Sequence, residues 1–309
     1  MKSLPKITII IPCKNSGKTL QRTLDSIRHQ GYENLECIVM DSLSTDNTVE
    51  IIRNNKDIIS FYVSEEDRSG AEACNKAINM CTGDIIGFLY SDDFLEANAL
   101  SQISEAVSSN PEYLVYSYGL SIQNLISEKI IFESCNKKNI KLCLNNILFK
   151  HVLNHFYKKE IFDRYGTLKE LYYDNSIFCS NDREFMIRLC LKGVKNFVIN
   201  KVLYRMTTHK DSITGNRSNI VKIRYEHIGI ADFYLKDSSL STYKKNKLLA
   251  FKVHNLSLLF TYYCLKLDLK NVFIVFKKGY HLKKYIWYFD ILICPLSEIL
   301  YRCSVKKWI

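Results

Sequence analysis

Two adjacent carboxylates, Asp92 and Asp93, close the stretch Gly83-Asp84-Ile85-Ile86-Gly87-Phe88-Leu89-Tyr90-Ser91. Side by side they repel each other unless something cationic lies between them. A divalent metal carrying a phosphate is the usual solution. Three more polar loops follow apolar runs upstream. The first holds Pro12, Lys14 and Asn15, and the second is Asp41-Ser42-Leu43-Ser44-Thr45-Asp46. The third is Ser64-Glu65-Glu66-Asp67-Arg68-Ser69-Gly70, with Ala73 and Asn75-Lys76 behind it. A nucleotide site needs such parts: a carboxylate or backbone for the base edge, a cation for phosphate, and a metal site. Each residue also has a plainer reading. Asp41 and Asp46 suit a turn and an N-cap, and Asp92-Asp93 could cap a helix starting at Glu96. Lys14, Lys18, Lys76, Glu65 and Glu66 suit a solvated surface.

The elements that must position these loops alternate regularly. Apolar runs at 7–11, 35–40, 58–63 and 84–90 read as buried strands, the last too short and glycine-bounded for a helix. Amphipathic stretches at 17–29, 47–54, 70–80 and 96–108 read as helices. This order implies an α/β fold, a mainly parallel sheet with helices on both faces, whose strand ends gather the four loops at one edge. From Pro111 the pattern loosens into short strands and polar loops, and residues 220–309 read as helices. The expected divisions are a half over 1–110 that carries the four loops, a second lobe over 111–218 and a basic helical region over 219–309.

The formal charge of +11 sits in the last third of the chain. Residues 1–215 carry 26 basic and 26 acidic side chains, whereas residues 216–309 carry 17 and 6. Residues 244–309 alternate lysine pairs (Lys244-Lys245, Lys277-Lys278, Lys283-Lys284) with Tyr262-Tyr263 and Trp287-Tyr288, the pattern of a helix lying on an anionic membrane. A helical bundle packed on the body is the alternative, and no nucleic-acid motif supports that kind of partner. The eleven cysteines lack metal-ligand spacing and mostly sit in apolar contexts, as reduced buried thiols do. No signal peptide precedes the first strand, and Tyr285 to Leu296 falls short of a membrane span. The expected location is cytoplasmic, peripheral at the inner face of a membrane.

Four segments in order resemble the inverting glycosyltransferases of family 2, with the GT-A fold. They are Ile11-Pro12-Cys13-Lys14-Asn15; Ile38-Val39-Met40-Asp41 through Thr48; Ser64-Glu65-Glu66-Asp67 with Ala73-Cys74-Asn75-Lys76; and Gly83 to Asp93. The resemblance covers residues 5–110 and implies a nucleotide-sugar donor, UDP-linked by preference, with Mg²⁺ or Mn²⁺. It places Pro12 and Asn15 against the nucleoside, with Asp41 accepting from the base. Asp67, Arg68 and Asn75 would lie near the base and ribose or phosphates, and Asp92 and Asp93 match the metal-and-ribose acidic motif, with the choice of which holds metal and which ribose left open.

Further on, Cys179 to Leu189 resembles the segment bearing the catalytic base, with Asp182 in that position and Glu184 as the alternative. An N-cap at Asn181 or Asp182 is compatible with that role. Arg205 or His209 stands in a loop that would close near the diphosphate, His209 as a metal ligand. His151 resembles an acceptor-site histidine one residue out of register. Four positions depart from the family pattern: Tyr90, Ser69, Ala77 and Glu72. The acceptor implied is a glycan or lipid-linked sugar in surface polysaccharide synthesis. Two rivals stand beside this reading. A sugar nucleotidyltransferase needs a glycine-rich loop that Pro12 to Gly17 lacks, and a non-catalytic glycan-binding or scaffold module would not need the acids.

Overall fold

The computed structural model describes residues 4–135, 137–149, 154–169, 172–173, 176–177, 180–209 and 219–280. In chain order the elements begin β1 (Ile7–Cys13), α1 (Leu20–Arg28), β2 (Leu35–Asp41), α2 (Thr48–Asn54) and β3 (Phe61–Ser64). There follow α3 (Gly70–Met80), β4 (Ile85–Phe88), β5 (Phe94–Leu95), α4 (Ala99–Ser109), β6 (Val115–Asn124) and β7 (Ile130–Ser134). Next come α5 (Lys137–Ile140), α6 (Leu144–Phe149), β8 (His155–Lys158), α7 (Glu160–Tyr165), β9 (Tyr172–Tyr173) and β10 (Ser176–Ile177). The chain continues with α8 (Asn181–Leu191), β11 (Asn196–Thr208), α9 (Asn219–Leu235), α10 (Thr242–Leu265) and α11 (Leu269–Tyr280).

Nine strands form one sheet in the order β3-β2-β1-β4-β8-β6-β11-β5, with β7 paired to β6. The first four are mutually parallel, as the β/α alternation requires. Beyond them the sheet is mixed. Strand β8 runs antiparallel to both β4 and β6, and β11 returns parallel to β6. The expected parallel character therefore belongs to the first half, and the second half extends the same sheet. By internal packing the chain forms two compact units, one of residues 1–170 with 181–209 and the other of 171–180 with 210–309.

The β-branched run of β1 explains its central place. Ile7, Ile9, Ile10 and Ile11 are all fully buried, since a strand covered on both faces takes apolar residues without alternation. Parallel pairing aligns Cys13 with Asp41 and Asp41 with Ser64, which brings the loops after three strands to one edge. The second unit has its own small core of Ile228, Val253, Leu256, Leu259, Tyr263 and Val275, joining α9, α10 and α11. Helix α10 is the one described helix long and apolar enough to cross a bilayer, and half of its apolar window is buried within the fold. The sequence pattern had drawn attention to Tyr285–Leu296 instead, which lies outside the described residues, as do Lys283-Lys284, Trp287-Tyr288 and His151.

Gly87 has a steric reason to be glycine. An added Cβ would stand 2.3 Å from a ring carbon of Phe156, the residue paired with it across β4 and β8. Phe156 is itself buried in the core. Gly87→Ala is expected to destabilise the fold by about 1–3 kcal/mol, the usual range for overpacking a tight core. Phe156→Leu in the same background should restore part of that loss, so the two effects are non-additive in urea unfolding.

Candidate active site

The loop after β1 is latched to the loop after β2. Asn15 adopts a left-handed backbone (φ 49°), which asparagine tolerates better than most residues. Its N–H donates to Ser44 Oγ at 2.7 Å, and its Oδ1 accepts from Thr45 N at 2.8 Å. Gly17 N–H and Thr48 N–H both donate to Asp46, at 3.0 Å each, so Asp46 is the turn and capping residue the sequence suggested. Ser16 Oγ lies 2.7 Å from Ser91 Oγ, which extends the latch to the acidic loop after β4.

Asp41 is the hub of this edge. It is 2% exposed. Its carboxylate accepts from the Ser44 hydroxyl, from Ser44 N–H at 3.2 Å, from Ser64 Oγ at 2.6 Å and from the Cys13 thiol at 3.8 Å. Burial, reinforced by the Asp41 charge, keeps Cys13 protonated and therefore a donor. Pro12, one residue before Cys13, is buried within β1. Asp67 is half-buried in the third loop. Burial raises its carboxyl above the usual range, while the Ser42 hydroxyl and Lys14 pull it back.

Two expected ligand-side residues bond to neighbouring groups of the chain itself. Asn75 bonds the backbone of Leu168 in both directions, at 2.7 and 3.0 Å, which corrects its placement against a nucleotide. Arg68 bonds Glu72 through both its backbone N–H and its Nε at 2.9 Å, and these contacts hold Glu72 down to about 2. Lys76 pairs with Glu65 at 2.7 Å and Glu72 at 3.5 Å, so the lysine and acids of this stretch neutralise one another.

The two adjacent acids have different surroundings. Asp93 is 2% exposed, its Oδ2 accepting from Tyr204 OH at 2.6 Å and its Oδ1 from Thr207 N–H at 2.7 Å. Burial, and then the Asp92 charge, push its carboxyl well above the usual range. Each of its two oxygens thus accepts one hydrogen bond inside the fold. The acids do not cap the following helix, which starts at Ala99 behind Asn98. Asp92 presents a partly exposed carboxylate instead, its Oδ2 3.0 Å from His209 Nε2. Its backbone carbonyl accepts from Arg22 and from Thr207 Oγ1, at 3.0 and 2.6 Å.

The Asp92–His209 pair is separated by an ordinary hydrogen-bond distance, and its carboxylate is a ligand type that suits Mg²⁺ or Mn²⁺. Among the described residues no group of three or more His, Cys, Asp or Glu could hold a metal. A two-residue site suits a hard cation that completes its shell with phosphate and water. Arg205 does not join the site, because its Nε pairs with Glu96 at 2.6 Å and its guanidinium covers the Phe94 ring.

Asp182 lies in the first turn of α8, half-buried, its Oδ1 accepting from Arg183 N–H at 2.7 Å. Burial raises its carboxyl, with Arg183 opposing. Glu184, the alternative base, is fully buried and paired with Arg188 at 2.9 and 3.1 Å. Arg188 also bonds the carbonyls of Tyr165 and Thr167. That arrangement removes Glu184 from consideration as a base.

Asp182 shares a cavity of about 20 Å³, room for a single water, with Phe88, Tyr90, His155, Tyr157, Leu168 and Phe185. Tyr90, the departure from the family pattern, is therefore a wall of this cavity. Sequence reading missed His155, and strand alternation could have found it. Phe156 faces Gly87, so His155 and Tyr157 face the other way. His155 Nδ1 lies 2.6 Å from Ser117 Oγ, which accepts from Asn196 at 2.7 Å. Among the described residues its Nε2 is buried with no hydrogen-bond partner.

The family described as Glycosyl transferase family 2 matches residues 8–166, just over half of the chain, and the chain belongs to it. One relative, the poly(ribitol-phosphate) beta-N-acetylglucosaminyltransferase TarP of Staphylococcus aureus, is 26% identical over 167 residues. That match covers 52% of this chain and only 51% of TarP. A second is WfgD of Escherichia coli, a UDP-Glc:alpha-D-GlcNAc-diphosphoundecaprenol beta-1,3-glucosyltransferase. It is 28% identical over 236 residues, or 72% of this chain and 85% of WfgD. Among solved structures, the mannosyltransferase PcManGT of Pyrobaculum calidifontis in complex with GDP-Man and Mn²⁺ aligns with a TM-score of 0.62 at 18% identity. The alignment covers 99% of this chain and 84% of that one. The fold is that of the GT-A glycosyltransferases, an α/β sheet followed here by a helical C-terminal region.

His155 makes stability depend on pH. Burial lowers its imidazole to about 3, while the unfolded chain protonates it near 6.5. Between these values the unfolded state binds the extra proton, so stability falls as pH falls. The slope from this group is at most about 1.4 kcal/mol per pH unit. Thermal unfolding across that window should therefore show a steeper acid loss in the wild type than in His155→Phe.

Proposed function

We propose that this chain is a metal-assisted inverting glycosyltransferase. It transfers a sugar from a nucleotide donor, UDP-linked by preference, to a hydroxyl of a glycan or lipid-linked acceptor in surface polysaccharide synthesis. The observation that carries the reading is the Asp92–His209 pair, 3.0 Å apart at the strand-end edge. Family membership and the names of TarP and WfgD support the donor and acceptor classes. The basic C-terminal region supports a location at the inner face of a membrane.

In this reading Asp92 and His209 hold Mg²⁺ or Mn²⁺ against the donor diphosphate. The cation, when bound, offsets charge on the departing nucleotide. Pro12, Asn15 and Asp67 line the nucleoside. Asp41 holds the three loops in register and reaches the base only through the backbone it positions. Asp182 takes the proton from the acceptor hydroxyl as its oxygen bonds to the anomeric carbon. The bond from that carbon to the diphosphate oxygen breaks on the opposite face, so configuration inverts and a nucleoside diphosphate leaves. The apolar surroundings that raise the Asp182 carboxyl also make it a stronger base once ionised. Residues 1–110 form the donor half, 111–218 the acceptor half and 219–309 the membrane-side region.

Three variants test this. Asp182→Asn should lower kcat by about 10²–10⁴-fold, the usual contribution of a general base, while leaving metal-dependent nucleotide binding intact. The wild-type rate should drop as pH falls through the raised carboxyl, because the protonated acid cannot accept a proton. Asp92→Asn and His209→Ala should each abolish the response of nucleoside diphosphate binding to Mn²⁺, read by calorimetry. Transfer that persists in EDTA and in Asp92→Asn would rule out this use of metal.

A further inference from the structure

From the turn joining α10 to α11 and the outer face of α11, we infer an insertion surface for an anionic lipid bilayer. Four large apolar side chains stand in water there: Leu265 (71% exposed), Leu267 (83%), Leu269 (77%) and Phe273 (67%). Lys266, Lys270, Lys277 and Lys278 are interleaved with them and exposed. The one acid of this stretch, Asp268, is engaged locally. It accepts from Asn271 N–H at 3.1 Å and from Asn271 Nδ2 at 2.7 Å, which caps α11.

The inner side of α11 is held independently by Val275, fully buried in the core shared with α9 and α10. Its outer side therefore stays presented without help from a partner. Leu267 adopts φ +55°, a left-handed conformation that ordinarily falls to glycine after a helix. A leucine at that position gains nothing from the backbone, and its side chain is the most exposed of the four.

A protein partner fits this surface poorly, because the centres of protein interfaces are depleted of lysine. An apolar tip with a collar of lysines fits the headgroup boundary, where leucine and phenylalanine enter the acyl region and lysines meet anionic phosphates. This deepens the membrane-side location proposed above and names its residues. It is tested without reference to catalysis, so its failure leaves the transferase reading untouched.

The full chain should co-sediment with vesicles of phosphatidylcholine and phosphatidylglycerol, and only weakly with phosphatidylcholine alone. Lys266→Gln with Lys270→Gln should weaken that binding by about thirtyfold. Leu267→Gln with Phe273→Gln should weaken it by about tenfold or more. Both double variants alter exposed side chains, so unfolding temperature and donor hydrolysis should match the wild type. Equal binding of wild type and both variants would overturn the inference, as would no binding by the wild type. So would a wild-type oligomer that Leu267→Gln with Phe273→Gln dissociates in the absence of lipid, since the patch would then bind a second copy.

Discussion

Asp93 is buried between the Tyr204 hydroxyl and the Thr207 N–H, and the geometry of the acidic edge depends on that grip. A carboxylate buried among the sheet strands is costly unless every oxygen finds a donor. Here the donors come from β11, far along the chain. The bond ties the short turn after β4 to the last strand of the sheet. Thr207 adds a hydroxyl to the carbonyl of Asp92, and Arg22 adds a guanidinium. With the turn held on both sides, Asp92 can face only one way, toward His209, two residues beyond Thr207. One acid is neutralised by the fold so that its neighbour can remain available at the surface.

The same division of labour runs along the strand-end edge. Asp41, Asp46, Asn75 and Glu72 point at backbone, hydroxyls or arginine of the chain itself. They fix loops, and loops fixed from several directions can hold a ligand without reorganising. The partly exposed acids of this edge are Asp67, Asp92 beside His209, and Asp182 beside its small cavity. Tyr90 links two of these regions. Burial, and then the charges of Asp182 and Asp93, push its phenol well above the usual range, so it stays protonated.

Much of this was legible beforehand, and the reasons differ by residue. The isoleucine run of β1 and the turn residues after each early strand encode local structure, so four parallel strands and their loops followed directly. Asp182 and His209 are singled out in the sequence only by their place in a motif. The partner of Asp93 was not legible, because Tyr204 and Thr207 reach it through β11, whose pairing with β6 has two register irregularities. Each irregularity can exchange the faces of a strand, so alternation counted along the sequence gives no reliable facing there. Glu184 reads in the sequence as the alternative base to Asp182, and only the fold shows Arg188, one helical turn on, taking its carboxylate.

What the sequence determined by itself was the class of fold, the order of the donor-side loops and the set of acids they carry. These depend on spacing and polarity within short windows, where periodicity and turn chemistry act. Tertiary structure alone decided which acids are engaged by distant donors, that the second half of the sheet is mixed, and that His155 lines the cavity beside Asp182. Those outcomes depend on burial and on donors brought from distant strands. A carboxylate's role follows from what surrounds it, and its surroundings exist only once the chain has folded.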